Sequence, residues 1–130
     1  MSKVILVTGG SKGIGANIVE GLARKGYTVI LNYNNSEKEA KSIQNTLNEE
    51  NINIDICQAD VSIHTEVTKL INYCINKYHK IDVLINNAGI SQTKLFTDIT
   101  DVDWYNMLQT NLTSAFYTIK DTLPCMIHNK

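Results

Sequence analysis

The residues best suited to chemistry stand near the start of the chain, in Thr8-Gly9-Gly10-Ser11-Lys12-Gly13-Ile14-Gly15. A short apolar run, Val4-Ile5-Leu6-Val7, precedes them. A helical pattern follows, with Ile14, Ile18 and Leu22 in register and Val19 and Ala23 alongside. The glycines therefore fall where a buried strand passes into a helix. The first turn of a helix has unpaired N–H groups and the positive end of the helix dipole, so it attracts anions. Glycine lets a phosphate approach the backbone with no Cβ in the way. Gly15 lies on the new helix, where a small residue permits tight packing on the strand. The spacing is T-G-x-x-x-G-x-G, not G-x-G-x-x-G, and Ser11-Lys12-Gly13 is not the G-K-S/T of a P-loop. Taken alone, the stretch could also be a plain glycine-rich connection.

Other polar clusters follow apolar runs: Asn32–Ser36, Ala59-Asp60-Val61, and Asn86-Asn87-Ala88-Gly89. Asp60 is a ligand candidate or a turn and helix-cap former, and N-N-A-G is a ligand loop or an ordinary turn. Asn111 is expected mid-helix on the apolar side, where asparagine is a poor helix former and a buried amide needs partners. Neighbouring backbone is the alternative use for that amide. One Y-x-x-x-K occurs, Tyr73-Cys74-Ile75-Asn76-Lys77. It reads as a chance match on an amphipathic helix, since it precedes N-N-A-G and has no serine partner.

The elements that must position these residues alternate between strand and helix patterns. Val4–Val7, Thr28–Asn32, Ile54–Gln58 and Asp82–Asn86 read as strands. The first helix stops near Gly26. Ser36 caps a second, with Ala40, Ile43 and Leu47 inward. A third starts near Thr65, with Val67, Leu70, Ile71, Cys74 and Tyr78 on one face. The last runs from about Asp101 to Leu123, with Trp104, Leu108, Asn111, Ala115 and Ile119 near one side. Alternation of this kind argues for βαβ units and a parallel sheet, whose ligands gather at the carboxyl ends of the strands. The polar clusters fall at those ends.

Length and composition bound the reading. The 130 residues suffice for one domain, 1–130, and 43% are hydrophobic, enough for a core. The net charge is −1 with no basic stripe, which disfavours a nucleic-acid partner. No apolar run approaches membrane-spanning length, so no membrane partner is expected. The start, Met1-Ser2-Lys3-Val4, lacks signal-peptide features. Cys57, Cys74 and Cys125 are odd in number and far apart, which favours reduced thiols in a cytoplasmic protein. His64, His79 and His128 share no ligand spacing with them, so no metal site is expected.

Together these motifs resemble the short-chain dehydrogenase/reductase family: T-G-x-x-x-G-x-G at Thr8–Gly15, Asp60-Val61, N-N-A-G at Asn86–Gly89, and Asn111 in Asn111-Leu112-Thr113-Ser114-Ala115-Phe116. They come in the family's order across the whole chain. The nearest flavour resembles 3-oxoacyl-[acyl-carrier-protein] reductases and the similar elongation factor P 5-aminopentanone reductases. The resemblance implies a Rossmann-like, doubly wound α/β fold in three layers, with strand order 3-2-1-4 and left incomplete. It implies that Gly9, Ser11, Lys12, Gly13, Ile14 and Gly15 cradle a pyrophosphate. Asp60 and Val61 would meet adenine, and Asn87, Ala88 and Gly89 would line the adenosine ribose. Asn111 would serve the catalytic proton relay by holding a water.

The expected activity is that of an NADPH-dependent oxidoreductase acting on carbonyl or alcohol groups, in a family of homo-oligomers. Its catalytic serine and Y-x-x-x-K would come after Lys130, so the chain is expected to be the cofactor-binding half, inactive alone. A non-catalytic nucleotide-binding or interaction module is the alternative. NADP(H) is expected over NAD(H), because strand two ends at Tyr33 where NAD-preferring members carry an acid. Lys12, Asn34 and Ser36 could face a 2′-phosphate. Without a fifth strand, Asp82–Asn86 is expected to be an unprotected sheet edge. Trp104, Leu108 and Phe116 are expected to be partly exposed and to favour self-association.

Overall fold

The computed structural model describes residues 2–129. Its order is β1 (Val4–Val7), α1 (Gly13–Arg24), β2 (Thr28–Tyr33), α2 (Glu37–Glu49), β3 (Asp55–Gln58), α3 (His64–Tyr78) and β4 (Val83–Ile85). Then come a 3-10 turn (Phe96–Asp98), α4 (Asp101–Leu108), a π-turn (Gln109–Thr113) and α5 (Ser114–His128). The strands pair in the order β3-β2-β1-β4, as expected, and every pairing is parallel. Leu6 sits opposite Ile30 on one side and Leu84 on the other.

Side chains alternate across a strand, and the core divides accordingly. Val4 and Leu6 face one layer, with Val67, Leu70, Ile71 and Cys74 of α3. Ile5 and Val7 face the opposite layer, with Val19 and Ala23 of α1 and Ala40 and Leu47 of α2. The result is a Rossmann-like arrangement with helices on both faces of the sheet. Central strands buried on both sides explain why Val4–Val7 is continuously apolar. No helix among the described residues is long and apolar enough to cross a membrane.

The structure corrects several boundaries and faces. Strand two extends to Tyr33, strand three begins at Asp55, and strand four is only Val83–Ile85. Ile14 is not on the inner face of α1: it is 75% exposed, and Gly15, Val19 and Ala23 are buried there instead. Ser36 does hold the cap position of α2, but its side chain makes no capping bond.

The largest correction concerns the last helix, which the π-turn divides. Thr100 caps α4 with a full capping box: its hydroxyl accepts from the Asp103 N–H at 3.1 Å, and Asp103 Oδ2 accepts from the Thr100 N–H at 3.0 Å. Further along, Ser114, Thr118 and Thr122 of α5 are the buried residues and Ile119 is exposed, while Trp104, Leu108 and Phe116 are exposed, as expected. Asn111 is exposed as well, in the π-turn rather than mid-helix. Two of these hydroxyls find partners on the helix or on Asn86, whereas Thr122 Oγ1 is buried without one among the described residues. Ser114 Oγ donates to the Thr110 carbonyl at 2.6 Å, and Thr118 Oγ1 lies 3.1 Å from the Ala115 carbonyl and 2.6 Å from Asn86 Oδ1.

Candidate binding site at the carboxyl ends of the strands

Parallel strands end together, so the loops after β1, β2, β3 and β4 meet along one edge. There they enclose a cavity of about 770 Å³. Gly9, Ser11, Lys12, Gly13 and Ile14 form one wall and Asn34 the next. Asp60 and Val61 follow, and Asn87, Ala88 and Gly89 complete it. Gly15 lies buried beneath this lining, and Asn111 stands behind it. Asn35 and Ala59, within the clusters singled out above, also line the cavity, as do Ile90, Ser91 and Thr110, which sequence reading left out. Nothing in their residue types marked them, because ordinary loop and turn residues reach the cavity by position alone.

Two buried side chains fix the glycine loop. The Thr8 hydroxyl accepts from the N–H groups of Asn87 and Ala88, both at 3.0 Å. Asn32 Oδ1 accepts from the Gly9 N–H at 3.3 Å, while its Nδ2 reaches the Ala59 carbonyl at 3.1 Å. Asn32 thereby joins the loops after β1 and β3 from the strand between them. Asn87 returns the tie: its Nδ2 donates to the carbonyls of Thr8 at 3.2 Å and Gly9 at 2.9 Å.

The glycines answer to space as well as to conformation. Gly9 has φ +61, and a Cβ on it would lie 2.8 Å from Ala88 Cα. A Cβ on Gly15 would collide with the Asn87 amide and the Gly9 carbonyl. Among the described residues, the N–H groups of Gly13, Ile14 and Gly15 find no acceptor, whereas the Ala16 N–H donates to the Lys12 carbonyl at 3.1 Å. Free donors at a helix start, beside Lys12, suit an anion.

Asp60 makes a tight turn. Its Oδ1 accepts from the N–H of Ser62 at 3.0 Å and from the Ser62 hydroxyl at 2.6 Å. Glu66 Oε1 accepts from the Asp60 N–H at 3.1 Å. The turn-forming use of Asp60 is therefore present, and the residue still lines the cavity. Asn111 binds the opposite lip: Oδ1 accepts from the Ile90 N–H at 2.7 Å, and Nδ2 donates to the Ile90 carbonyl at 2.9 Å.

Tyr73 and Lys77 are occupied elsewhere. Tyr73 Oη and Tyr78 Oη donate to Asp55 Oδ2 at 2.8 and 2.7 Å, and Lys77 Nζ sits 2.9 Å from the same oxygen. Burial opposes the charge of Asp55, but bonds from Lys77, Tyr78 and Tyr73 outweigh it and hold the carboxyl below its ordinary range. Burial and the bond to Asp55 both raise the Tyr73 phenol, the reverse of what a proton donor near neutral pH needs. Asp55 opens β3, at the end of the strand away from the cavity.

Comparison with known proteins agrees with this geometry. The family model described as short chain dehydrogenase matches residues 3–130. The 3-oxoacyl-[acyl-carrier-protein] reductase FabG of Staphylococcus epidermidis is 33% identical over 130 residues, covering 100% of this chain and 53% of that protein. FabG of Buchnera aphidicola is 33% identical over 128 residues, covering 98% and 51%. Among solved structures, a variant of actinorhodin polyketide ketoreductase with NADPH matches at TM-score 0.91 and 30% identity, covering 98% of this chain and 49% of that one. A Serratia marcescens short-chain dehydrogenase/reductase variant matches at TM-score 0.89 and 27% identity, covering 95% and 51%. The chain spans about half the length of the curated relatives it matches.

Proposed function

The chain belongs to the short-chain dehydrogenase family, and we propose that it forms the cofactor-binding part of an NADP(H)-dependent oxidoreductase acting on carbonyl or alcohol groups, 3-oxoacyl thioesters foremost. The residues at the cavity fit a dinucleotide. The cradle at Gly9 and Gly15 leaves no room for a Cβ, and unpaired N–H groups open α1 beside it. In this reading Gly9, Ser11, Lys12, Gly13, Ile14 and Gly15 take the pyrophosphate. Asp60 and Val61 take adenine, and Asn87, Ala88 and Gly89 take the adenosine ribose. When bound, the dinucleotide supplies the hydride chemistry. Asn111 holds the Gly89–Ile90 lip through its two bonds to Ile90, and so keeps the proton relay of the proposed enzyme in register.

One observation carries the choice of cofactor. Lys12, Tyr33, Asn34 and Ser36 all line the cavity, with no acid at the end of β2. A carboxylate there would hold a ribose 2′-hydroxyl and repel a 2′-phosphate. Lys12 offers that phosphate a charge, and Asn34 and Ser36 offer donors. Calorimetric titration of the chain with NADPH and NADH tests this. NADPH is expected to bind about tenfold tighter, the scale of one charge-assisted bond, and Lys12→Glu to abolish the difference. Tighter binding of NADH would overturn the assignment.

The same reading holds that residues 1–130 do not turn over substrate alone. The Tyr73–Lys77 pair is committed to Asp55, and neither residue lines the cavity.

A further inference from the structure

We infer that Gln109 is a positioning residue for the Asp60–Ser62 turn, and hence for the adenine end of the cavity; the inference rests on the cofactor reading above. Gln109 opens the π-turn between α4 and α5. Its Nε2 donates to the Ser62 carbonyl at 2.8 Å and to Tyr117 Oη at 3.1 Å. In an uninterrupted α-helix, residues eight apart point about 80° apart, given roughly 100° per residue. The π-turn absorbs one residue, so Gln109 and Tyr117 share a face and close on one another. Such turns recur at functional sites.

Apart from Ala59, which Asn32 and Tyr33 hold as the chain enters the turn, and Val61, which packs into the core, the turn's other hydrogen bonds are local. Asp60 Oδ1 is bonded by Ser62, two residues on, and the Asp60 N–H by Glu66, six residues on. Both partners lie in the turn or in the first turn of α3. Gln109, 47 residues away in sequence, ties the turn to the other side of the molecule. The five-residue π-turn that carries Gln109 also carries Asn111, which holds Ile90. One irregular segment therefore touches both lips of the cavity.

A merely structural role would amount to joining α3 to α5, but other contacts already do that. His64 Nε2 lies 3.0 Å from Asp121 Oδ1, and Thr68 Oγ1 donates to Asp121 Oδ2 at 2.7 Å. The His64 ring stacks on Tyr117 with centroids 4.4 Å apart. Loss of Gln109 leaves both Asp121 bonds intact; it releases the turn and one bond to the Tyr117 hydroxyl.

The test compares the whole chain with Gln109→Leu, Gln109→Glu and Asp121→Asn. Gln109→Glu keeps the size of the side chain but sets a carboxylate against the Ser62 carbonyl, so one altered variant remains if the other folds poorly. Calorimetry with adenosine 2′,5′-bisphosphate and with reduced nicotinamide mononucleotide reads the two ends of the cavity separately. Both Gln109 variants are expected to weaken the adenine probe about tenfold, the scale of one lost hydrogen bond with a stranded carbonyl, and to leave the nicotinamide probe within about twofold. Asp121→Asn is expected to lower the melting temperature with both affinities unchanged. Equal weakening of the two probes, or none, overturns the inference. Hydrogen exchange without ligand reads the contact itself: the Val61 and Ser62 amides exchange faster in both Gln109 variants while residues 67–74 stay protected. Unchanged exchange also overturns the inference. Faster exchange in a chain whose parent binds neither probe refutes the cofactor reading and, with it, the adenine assignment.

Discussion

The Asn111 carboxamide engages one residue twice, accepting from the Ile90 N–H and donating to the Ile90 carbonyl. This is the pairing two strand residues make with each other, made here by a side chain on a π-turn. It fixes a segment that follows β4 and has no strand partner of its own. Asn111→Ala is expected to cost about 1 kcal/mol, the usual scale for such bonds near the surface. Asn111→Asp should cost more, because a carboxylate faces the Ile90 carbonyl. Denaturant unfolding gives the stability, and exchange of the Ile90 amide should quicken in both variants.

Two glycines of α1 are expected to respond in opposite directions. Gly15→Ala places a methyl group on the Asn87 amide and the Gly9 carbonyl, so the chain should lose about 1–3 kcal/mol and its affinity for NADPH. Gly21→Ala meets nothing within 4 Å. It should stabilise the helix by about 0.5–1 kcal/mol with NADPH binding unchanged. Urea unfolding and calorimetry on both variants check this.

Asp55 sets an acid limit on stability. Its carboxyl is held below its ordinary value, so the folded state binds its proton less readily than the unfolded chain does. The resulting stabilisation is present in full above the unfolded value, near pH 4, and fades as pH falls through the lower folded value. Asp55→Asn should therefore lower stability at pH 7 and flatten the loss of stability below about pH 4. Thermal melts of both proteins from pH 7 to pH 2.5 measure it. Tyr73→Phe should leave the rate of NADPH oxidation with an acetoacetyl thioester at the no-protein level, where the parent chain is also expected to lie. A parent rate above that level, lost in Tyr73→Phe, would reinstate the Tyr73–Lys77 pair.

The outward side of α5 and the π-turn carries Leu112, Phe116, Ile119, Leu123 and Ile127, all exposed and three or four residues apart. β4 lies beside it as a half-buried sheet edge. An apolar stripe and a bare edge favour association between chains. Sedimentation velocity should show mass rising with concentration, and a Phe116→Lys, Leu123→Glu double variant should shift the chain toward monomer.

Much of this was legible in the residues. The continuously apolar Val4–Val7, the glycines after it and the polar residues ending each strand pointed to one sheet edge, and the cavity lies there. The exposed Trp104, Leu108 and Phe116 were legible, but the inner face of α5 was not, because hydrophobic periodicity assumes that apolar residues turn inward. Ser114 and Thr118 satisfy their hydroxyls on their own helix or on Asn86, and so pack inward while Ile119 does not. The π-turn left no mark in residue types, since it is a backbone register that Gln109 and Asn111 stabilise only once Ser62 and Ile90 are in place. Thr110 and Ser91 reach the cavity through that register and could not be singled out beforehand.

The bond from the Asn87 N–H to the Thr8 hydroxyl spans 79 residues of sequence. A contact between such distant positions closes a long loop, and its entropic cost must be met before any contact rewards it. β1 and β2 can pair early in synthesis, but the floor of the cavity waits for Asn87 and Ala88 to leave the ribosome. Until then the glycine loop lacks the two N–H donors that anchor Thr8. A nascent chain that already displays the complete Thr8–Gly15 sequence is therefore still unable to form the cavity.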